Sequence, residues 1–308
     1  MKGLVLKSTG SWYKVISDGE VYQCRIRGKL KLQDLKTTNP VAVGDHVIFD
    51  LDNETDQKMQ GIISSIEDRI NYIIRRSVHK TGHGHILAAN IDQLILMITL
   101  KKPKTSIGFI DRLLVNSESF RIPAVLLFNK IDVMDEKELD TIKNLAAIYR
   151  NLGYESYSIS ALEGTNIKSV ADILKGRVTL IAGHSGVGKS TFVNGLSPEV
   201  AQQIRDISKF SKKGKHTTTF AEMFHLGDGT YIIDSPGIKE LGMIDMENWE
   251  ISHYFPEMRK HLGECKFKDC LHLDEPGCAI TEALMKGEIE EPRYLSYLSM
   301  LENDDNRR

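Results

Sequence analysis

One stretch constrains this chain more than any other: Gly183-His184-Ser185-Gly186-Val187-Gly188-Lys189-Ser190 matches the pattern G-x-x-x-x-G-K-[ST] of a phosphate-binding loop. The apolar run before it, 178–182, predicts a buried strand, and the residues from Thr191 onward predict a helix. In such a loop the backbone N–H groups face phosphate oxygens, Lys189 reaches the β- and γ-phosphates, and Ser190 binds Mg²⁺. An accidental glycine-rich turn is the alternative, but the predicted strand and helix favour a nucleotide site.

The composition limits what else the chain can be. A length of 308 residues predicts two or three domains. The chain has no apolar run of the roughly 20 residues that span a membrane, and no signal peptide, so we expect a cytoplasmic protein that does not bind membranes. Its four cysteines are then not expected to form disulfides. Because the net charge is −2, nucleic acid would have to bind through local basic patches.

Residues 1–71 have the pattern of an all-β domain. Five short, partly alternating runs separated by turn residues predict a small barrel, for which an OB-fold is the natural candidate. The predicted strands are 4–7, 12–16, 21–26, 46–51 and 60–66. Basic residues gather on and after the third strand, where an RNA-binding surface and an ordinary solvated face fit equally well. These residues are Arg25, Arg27, Lys29, Lys31 and Lys36.

The segment 70–90 is basic and carries three histidines among glycines. The histidines His79, His83 and His85 could bind a metal, but no carboxylate or cysteine accompanies them. The composition therefore favours a flexible basic linker.

From residue 91 onward, apolar runs alternate with helical patterns, which predicts a doubly wound α/β sheet with ligands at the carboxyl ends of its strands. The predicted strands are 91–99, 124–128, 155–160, 178–182 and 231–234. The predicted helices are 107–120, 136–151 and 167–175, with another after the phosphate-binding loop.

The residues Asn129-Lys130-Ile131-Asp132 follow one of these strands and resemble the N-K-x-D motif of GTPases. Guanine presents two adjacent donors, N1–H and the 2-amino group, and the carboxylate of Asp132 can accept both. Adenine lacks this pair of donors and would leave the charge unpaired. The stem of Lys130 can cover the base, and Asn129 can join this loop to the phosphate-binding loop. A strand-end turn with an aspartate helix cap is the alternative.

Further GTPase motifs accompany it. Ser160-Ala161 resembles the S-A motif, whose backbone N–H at Ala161 would meet guanine O6. Asp234 and Gly237 resemble the D-x-x-G motif, in which Asp234 holds Mg²⁺ through water and the Gly237 N–H senses the γ-phosphate. Thr218 is our candidate for the switch threonine that binds Mg²⁺, with its neighbours Thr217 and Thr219 left open.

The order of these motifs differs from that of a Ras-like GTPase, in which the phosphate-binding loop comes first. Here N-K-x-D and S-A precede it, so we predict a circularly permuted GTPase domain over 72–245. Such a permutation joins two termini that lie close together at a domain surface. It also puts both switches at the end of the domain.

Cys265, Cys270, His272 and Cys278 lie within fourteen residues. Three thiolates and an imidazole make a closed tetrahedral zinc site, so we predict one structural zinc in a mainly helical module over 246–308. Helices are expected around 249–262 and 280–301. Three buried free cysteines with a surface histidine are the alternative. Cys24, in a predicted strand, is expected to be simply buried.

An OB-like barrel, a permuted GTPase and a Cys-Cys-His-Cys module, in this order, resemble the bacterial small ribosomal subunit biogenesis GTPase A family over essentially the whole chain. The resemblance implies GTP and GDP as ligands with magnesium, and binding to the small ribosomal subunit and its ribosomal RNA late in assembly. It also implies GTP hydrolysis that the subunit stimulates. We expect a monomer. The alternative is a nucleotide-gated RNA-binding module with negligible turnover.

The motifs do not identify the group that orients the attacking water. Ile238 follows the D-x-x-G motif, where Ras-like enzymes have a glutamine that orients the attacking water. His216, beside the switch threonines, is our candidate for this task. A histidine that contacts only RNA or backbone, with the catalytic group supplied by ribosomal RNA, is the alternative.

Overall fold

The structure, a computed structural model, describes residues 1–26, 39–52, 59–76, 84–204, 221–234 and 246–302. The chain divides into two compact units. The first comprises Met1–Ile95, Ile167–Ala182 and Lys189–Ile244, and the second comprises Leu96–Asn166, Gly183–Gly188 and Asp245–Arg308. Among the described residues, no helix has the length and apolar character needed to cross a membrane.

The first unit begins with the predicted barrel. Its five strands are β1 (Lys2–Ser8), β2 (Tyr13–Ser17), β3 (Glu20–Ile26), β4 (His46–Leu51) and β5 (Gln60–Ile66). They pair in the order β1-β2-β3-β5-β4, and β4 also pairs with β1, which closes the barrel. The OB-fold prediction is therefore confirmed.

Alternate side chains of these strands fill the barrel interior, among them Val5, Val15 and Phe49, which are fully buried. This is the period of two that the sequence pattern indicated. Cys24 is buried in the same core, as predicted, and burial raises the pKa of its thiol to about 12.

Next comes a two-stranded antiparallel sheet of β6 (Tyr72–Arg76) and β7 (Gly84–Ala89). The prediction of a flexible linker over 70–90 is wrong for these strands. Glycines and basic residues in the segment concealed two short apolar runs, 73–74 and 86–89, whose residues are all buried. The side chain of Asn39 completes the edge, because its amide donates to Ile86 O and its oxygen accepts from Ile86 N. His79 and His83 lie outside the described residues.

The rest of the first unit contains α3 (Ile167–Leu174), β11 (Val178–Ala182), α4 (Lys189–Leu196), β12 (Glu222–Gly227) and β13 (Thr230–Asp234). The strands follow the order β11-β13-β12-β1. Strand β13 is parallel to β11, whereas β12 is antiparallel to both of its neighbours. Strand β12 was not predicted, although Asp228-Gly229, with both φ angles positive, makes the two-residue turn that marks a hairpin.

The second unit contains α1 (Ile107–Ser119), β9 (Ala124–Asn129), α2 (Glu136–Asn151) and β10 (Glu155–Ile159), with β9 and β10 parallel. Strand β8 (Gln93–Ile98) runs from the first unit into the second. Ser106 caps α1, and Asp135 and Glu138 form a capping box at the start of α2. These caps explain why both helices begin where the sequence predicts.

The carboxyl-terminal part of the second unit is helical but more broken than expected. It contains a 3₁₀ helix (Asn248–Tyr254), α5 (Pro256–Arg259), α6 (Ala279–Met285) and α7 (Glu291–Leu301). The helical segments expected around 249–262 and 280–301 are each divided into two helices. Phe255 is extended before Pro256, and Gly287 has a φ of 75° shortly after α6.

A buried ion cluster lies inside this unit. Arg293 of α7 donates to both oxygens of Glu257, at 2.7 and 3.1 Å, and also to Asp111 Oδ1 of α1. Tyr149 donates to the same oxygen of Asp111 at 2.7 Å. Burial raises the pKa of Asp111, and the positive charge of Arg293 opposes that shift.

Candidate nucleotide site and metal centre

The phosphate-binding loop of the second unit passes very close to neighbouring backbone and side chains. A Cβ added to Gly188 would lie 2.3 Å from Asn129 Nδ2, and one added to Gly183 would lie 2.6 Å from Met97 O. Both glycines also have φ in the left-handed range, at 106° and 141°. Only glycine fits these two positions without displacing the neighbours.

Asn129, at the end of β9, joins three segments that sequence reasoning selected separately. Its side-chain nitrogen donates to Val187 O at 2.8 Å, and its oxygen accepts from Ala161 N at 2.9 Å. The side chain is buried, at 2% exposure, so these bonds are made away from water. The Ala161 N–H, for which we expected guanine O6 as the partner, is bonded to Asn129 in this structure.

The next residue, Lys130, adopts the left-handed conformation with a φ of 70°. This bend turns its side chain toward the phosphate-binding loop, where Nζ donates to Gly186 O at 2.8 Å and to Lys102 O at 2.5 Å. Lys102 was not among the predicted site residues. It lies in the loop after β8, and no sequence motif marks it.

Asp132 lies in a single 3₁₀ turn, Ile131–Val133. Its Oδ1 accepts from Ser160 Oγ at 2.5 Å, and that hydroxyl oxygen in turn accepts from Glu163 N at 3.1 Å. Ser160 is fully buried, whereas Asp132 is half-buried. The serine therefore holds the carboxylate in one orientation at the edge of the site.

An aromatic contact fixes the other side of the loop. The ring of His184 stacks on Phe109 of α1, with ring centroids 3.9 Å apart and an interplanar angle of 27°. Ser185 and Gly186 are exposed, while Val187 is buried. Sequence reasoning missed Phe109, because the apolar spacing that predicts α1, at Ile107, Ile110 and Leu113, does not include it.

In the first unit, α4 begins at Lys189, and Ser190 and Thr191 are exposed in its first turn. Asp234 ends β13. Burial raises the pKa of Asp234, the positive charge of Lys189 lowers it, and the negative charge of Glu222 raises it further. Glu222, directly opposite Asp234 on β12, is a second acidic residue that sequence reasoning missed.

His216, Thr217, Thr218, Thr219, Gly237 and Ile238 lie outside the described residues. The assignments made for these residues therefore stay predictions.

The second unit also brings Cys265, Cys270, His272 and Cys278 together. Their ligand atoms all lie within 4.8 Å of one another, and His272 Nδ1 is 3.6 Å from Cys265 Sγ and 3.4 Å from Cys278 Sγ. Ligands bound at about 2.0–2.3 Å to one tetrahedral metal ion lie about 3.5–3.8 Å apart, so the four residues fit such an ion. The histidine is buried at 7% exposure, unlike the surface histidine of the alternative interpretation.

The electrostatics of the cluster also suit a cation. Burial raises the pKa of Cys270 to about 12, and the neighbouring Cys278 and Cys265 raise it too. Burial lowers the pKa of His272, which favours the neutral imidazole. A bound metal ion would oppose the raised pKa of Cys270, because metal binding favours the thiolate form of a cysteine ligand.

Hydrogen bonds around the cluster hold the chain in place. The carboxylate of Glu275 accepts from Leu271 N at 2.8 Å and from Leu273 N at 2.7 Å. From α7, Tyr294 donates to His272 O at 2.6 Å and Tyr297 donates to Leu271 O at 2.7 Å. This outer layer fixes the backbone at His272, whose φ is 58°.

Two family models match the chain: the RsgA GTPase model over residues 66–244 and the RsgA N-terminal domain model over residues 2–63. Small ribosomal subunit biogenesis GTPase RsgA of Christiangramia forsetii is 50% identical over 307 residues, which cover 99% of this chain and 97% of that protein. The protein of the same name from Bacteroides fragilis is 51% identical with the same coverage.

Two solved structures are similar over the whole chain. YjeQ from Thermotoga maritima has a TM-score of 0.77 and 35% identity, with 100% of this chain and 99% of that chain covered. YloQ, described as a circularly permuted GTPase, has a TM-score of 0.72 and 28% identity, with 100% and 96% covered. Because a GTPase family model spans more than half of the chain and full-length relatives are about half identical to it, the chain belongs to the RsgA family of circularly permuted GTPases.

Proposed function

We propose that this GTP hydrolase binds the small ribosomal subunit and acts in the late steps of its assembly. The relatives that are about half identical carry that activity in their name, small ribosomal subunit biogenesis GTPase. The observation that carries the proposal is the set of bonds made by Asn129. They hold the N-K-x-D segment, the S-A segment and the phosphate-binding loop in one arrangement suited to a guanine nucleotide.

For base recognition, Asp132 accepts the two adjacent donors of guanine, and Ser160 keeps its carboxylate oriented. The Lys130 stem, held at its Nζ by Gly186 O, covers one face of the base. The Ala161 N–H is within reach of guanine O6 only if its bond to Asn129 is shared or exchanged when the nucleotide binds.

For the phosphates, the backbone from Gly183 to Ser190 provides the N–H donors, and Lys189 provides a positive charge. Ser190 and Thr218 would hold the magnesium ion that accompanies GTP, and Asp234 would contact it through water; the ion would supply positive charge to the phosphates. Gly237 contacts the γ-phosphate, and His216 accepts a hydrogen bond from the attacking water.

Cys265, Cys270, His272 and Cys278 would hold one zinc ion and would fill all four of its coordination positions. Such a closed site stabilises a fold and leaves no position for a substrate, so the metal is structural. It stabilises the carboxyl-terminal module, 246–308, which follows an OB-fold domain over 1–71 and the GTPase domain over 72–245.

We expect the protein to act as a cytoplasmic monomer whose hydrolysis is stimulated by the subunit and drives release. The decisive experiment is multiple-turnover GTP hydrolysis by the purified protein with and without purified small subunits. Stimulated turnover supports the assembly GTPase. Binding to the subunit that depends on GTP, with no turnover, would instead support a nucleotide-gated RNA-binding module.

A further inference from the structure

Three charged residues form a row across three neighbouring strands of the first unit. Lys7 of β1 is the register partner of Glu222 of β12, and Glu222 is the register partner of Asp234 of β13. Directly opposite residues of antiparallel strands project from the same face of the sheet, with Cβ atoms about 5 Å apart. Lys7 Nζ lies 2.6 Å from Glu222 Oε2, so the lysine reaches along this row toward Asp234.

Two carboxylates directly opposite each other repel, and this repulsion is strongest where water is scarce. The Glu222 side chain is only 12% exposed. The row therefore needs positive charge. Lys7 supplies it from the barrel side at 28% exposure, and Lys14 adds a weaker contact at 3.9 Å and 44% exposure. The positive charge of Lys189 also acts on Asp234.

We propose that Glu222 and Lys7 are positioning residues for magnesium: as a pair they set the charge beside Asp234 and thereby the affinity of the nucleotide site for Mg²⁺. The inference deepens the proposed function and depends on the role given there to Asp234. Neither residue belongs to the motifs assigned to the nucleotide. In the pair, the glutamate strengthens the negative potential that attracts the cation, and the lysine weakens it, so the two charges balance.

The balance makes opposite predictions for the two single substitutions. Lys7→Met keeps most of the aliphatic stem and leaves the Glu222 charge uncompensated. The Mg²⁺ concentration that gives half-maximal nucleotide binding should therefore fall. Glu222→Gln removes the negative charge and leaves that of Lys7, so this concentration should rise. A shift of about three- to ten-fold in each direction is reasonable for one unit charge that acts on a divalent ion near a partly exposed surface.

In the double variant Lys7→Met/Glu222→Gln the pair has no net charge, like the wild-type pair. Its Mg²⁺ concentration for half-maximal nucleotide binding should therefore lie within about two-fold of the wild-type value. Lys14→Met is the matched control, because its lysine is farther from Glu222 and more exposed, and it should shift the Mg²⁺ dependence by less than about two-fold. A merely structural ion pair would shift the Mg²⁺ dependence of both single variants in the same direction, because either substitution leaves one charge unpaired.

The experiment is a Mg²⁺ titration of the affinity of the full chain for a fluorescent, non-hydrolysable GTP analogue. Opposite shifts in the single variants, with recovery in the double variant, support the inference. If the wild type shows Mg²⁺-dependent binding but the Mg²⁺ dependence of the two single variants does not shift in opposite directions, the inference is overturned and the proposed function stands. If the wild type does not bind the analogue with Mg²⁺, the proposed function fails and the inference fails with it.

Discussion

Replacement of Arg293 by Met tests the buried ion cluster, because methionine fills similar space without the charge. In the wild type the guanidinium, at 2% exposure, contacts Glu257 and Asp111, whose side chains are 4% and 0% exposed. The substitution leaves two carboxylates buried beside each other, with Tyr149 as a remaining donor to Asp111. Removal of one partner from a buried ion pair costs about 3–5 kcal/mol of stability.

The matched control is Arg259→Met. Arg259 is also in the second unit and pairs with Glu118 at 2.9 Å, but it is 48% exposed. Because exposed pairs are screened by water and salt, this substitution should cost at most about 1 kcal/mol. The contrast between the two arginines therefore isolates the effect of burial.

The loss of stability caused by Arg293→Met should also depend on pH. Burial raises the pKa of Asp111 even with Arg293 present, and loss of the positive charge raises it further. A carboxyl group whose pKa is raised by folding destabilises the fold at pH above that pKa, and the stability returns as the pH falls through it. The Arg293→Met variant should therefore lose less stability at pH 5.5 than at pH 8.

The assay is hydrogen exchange of the α1 and α7 amides in native protein, since a protein with several domains need not unfold in one step. Arg293→Met should lower the local opening free energy of both helices by several times the change that Arg259→Met causes. Equal changes in the two variants, or a larger loss at pH 5.5 than at pH 8, would refute the reasoning.

Three other substitutions or treatments test the remaining assignments. Asp132→Asn should shift nucleotide preference from GTP toward xanthosine triphosphate, measured by competition binding, because the amide can donate to the 2-oxo group; unchanged GTP affinity with no gain for the xanthine nucleotide contradicts the assignment. Metal analysis should find one zinc per chain, and chelation should remove the protease resistance of 246–308 while GTP binding survives; purified protein without zinc would exclude this. His216→Ala should abolish most of the subunit-stimulated rate in single-turnover assays while GTP and subunit binding persist, and a wild-type rate would assign the catalytic group to the ribosomal RNA instead.

The chemical motifs could be predicted from the sequence because each one places its functional groups within a few residues of one another. The phosphate-binding loop, the N-K-x-D segment and the four metal-ligand candidates all needed only spacing and residue type. Strands β4, β5 and β11 and helix α2 have the predicted boundaries, since apolar periodicity, turn residues and caps lie next to the elements they define.

Tertiary structure decided the contacts between distant segments. The sequence could not show that Asn39 would complete the edge of β7, or that this pairing makes strands from a segment whose composition resembles a linker. It also could not show that Asp111 and Arg293, 182 positions apart, would share a buried hydrogen bond. Register across β1, β12 and β13 likewise aligned Lys7, Glu222 and Asp234. Such contacts depend on which surfaces pack together, and packing is a property of the whole fold that no local pattern contains.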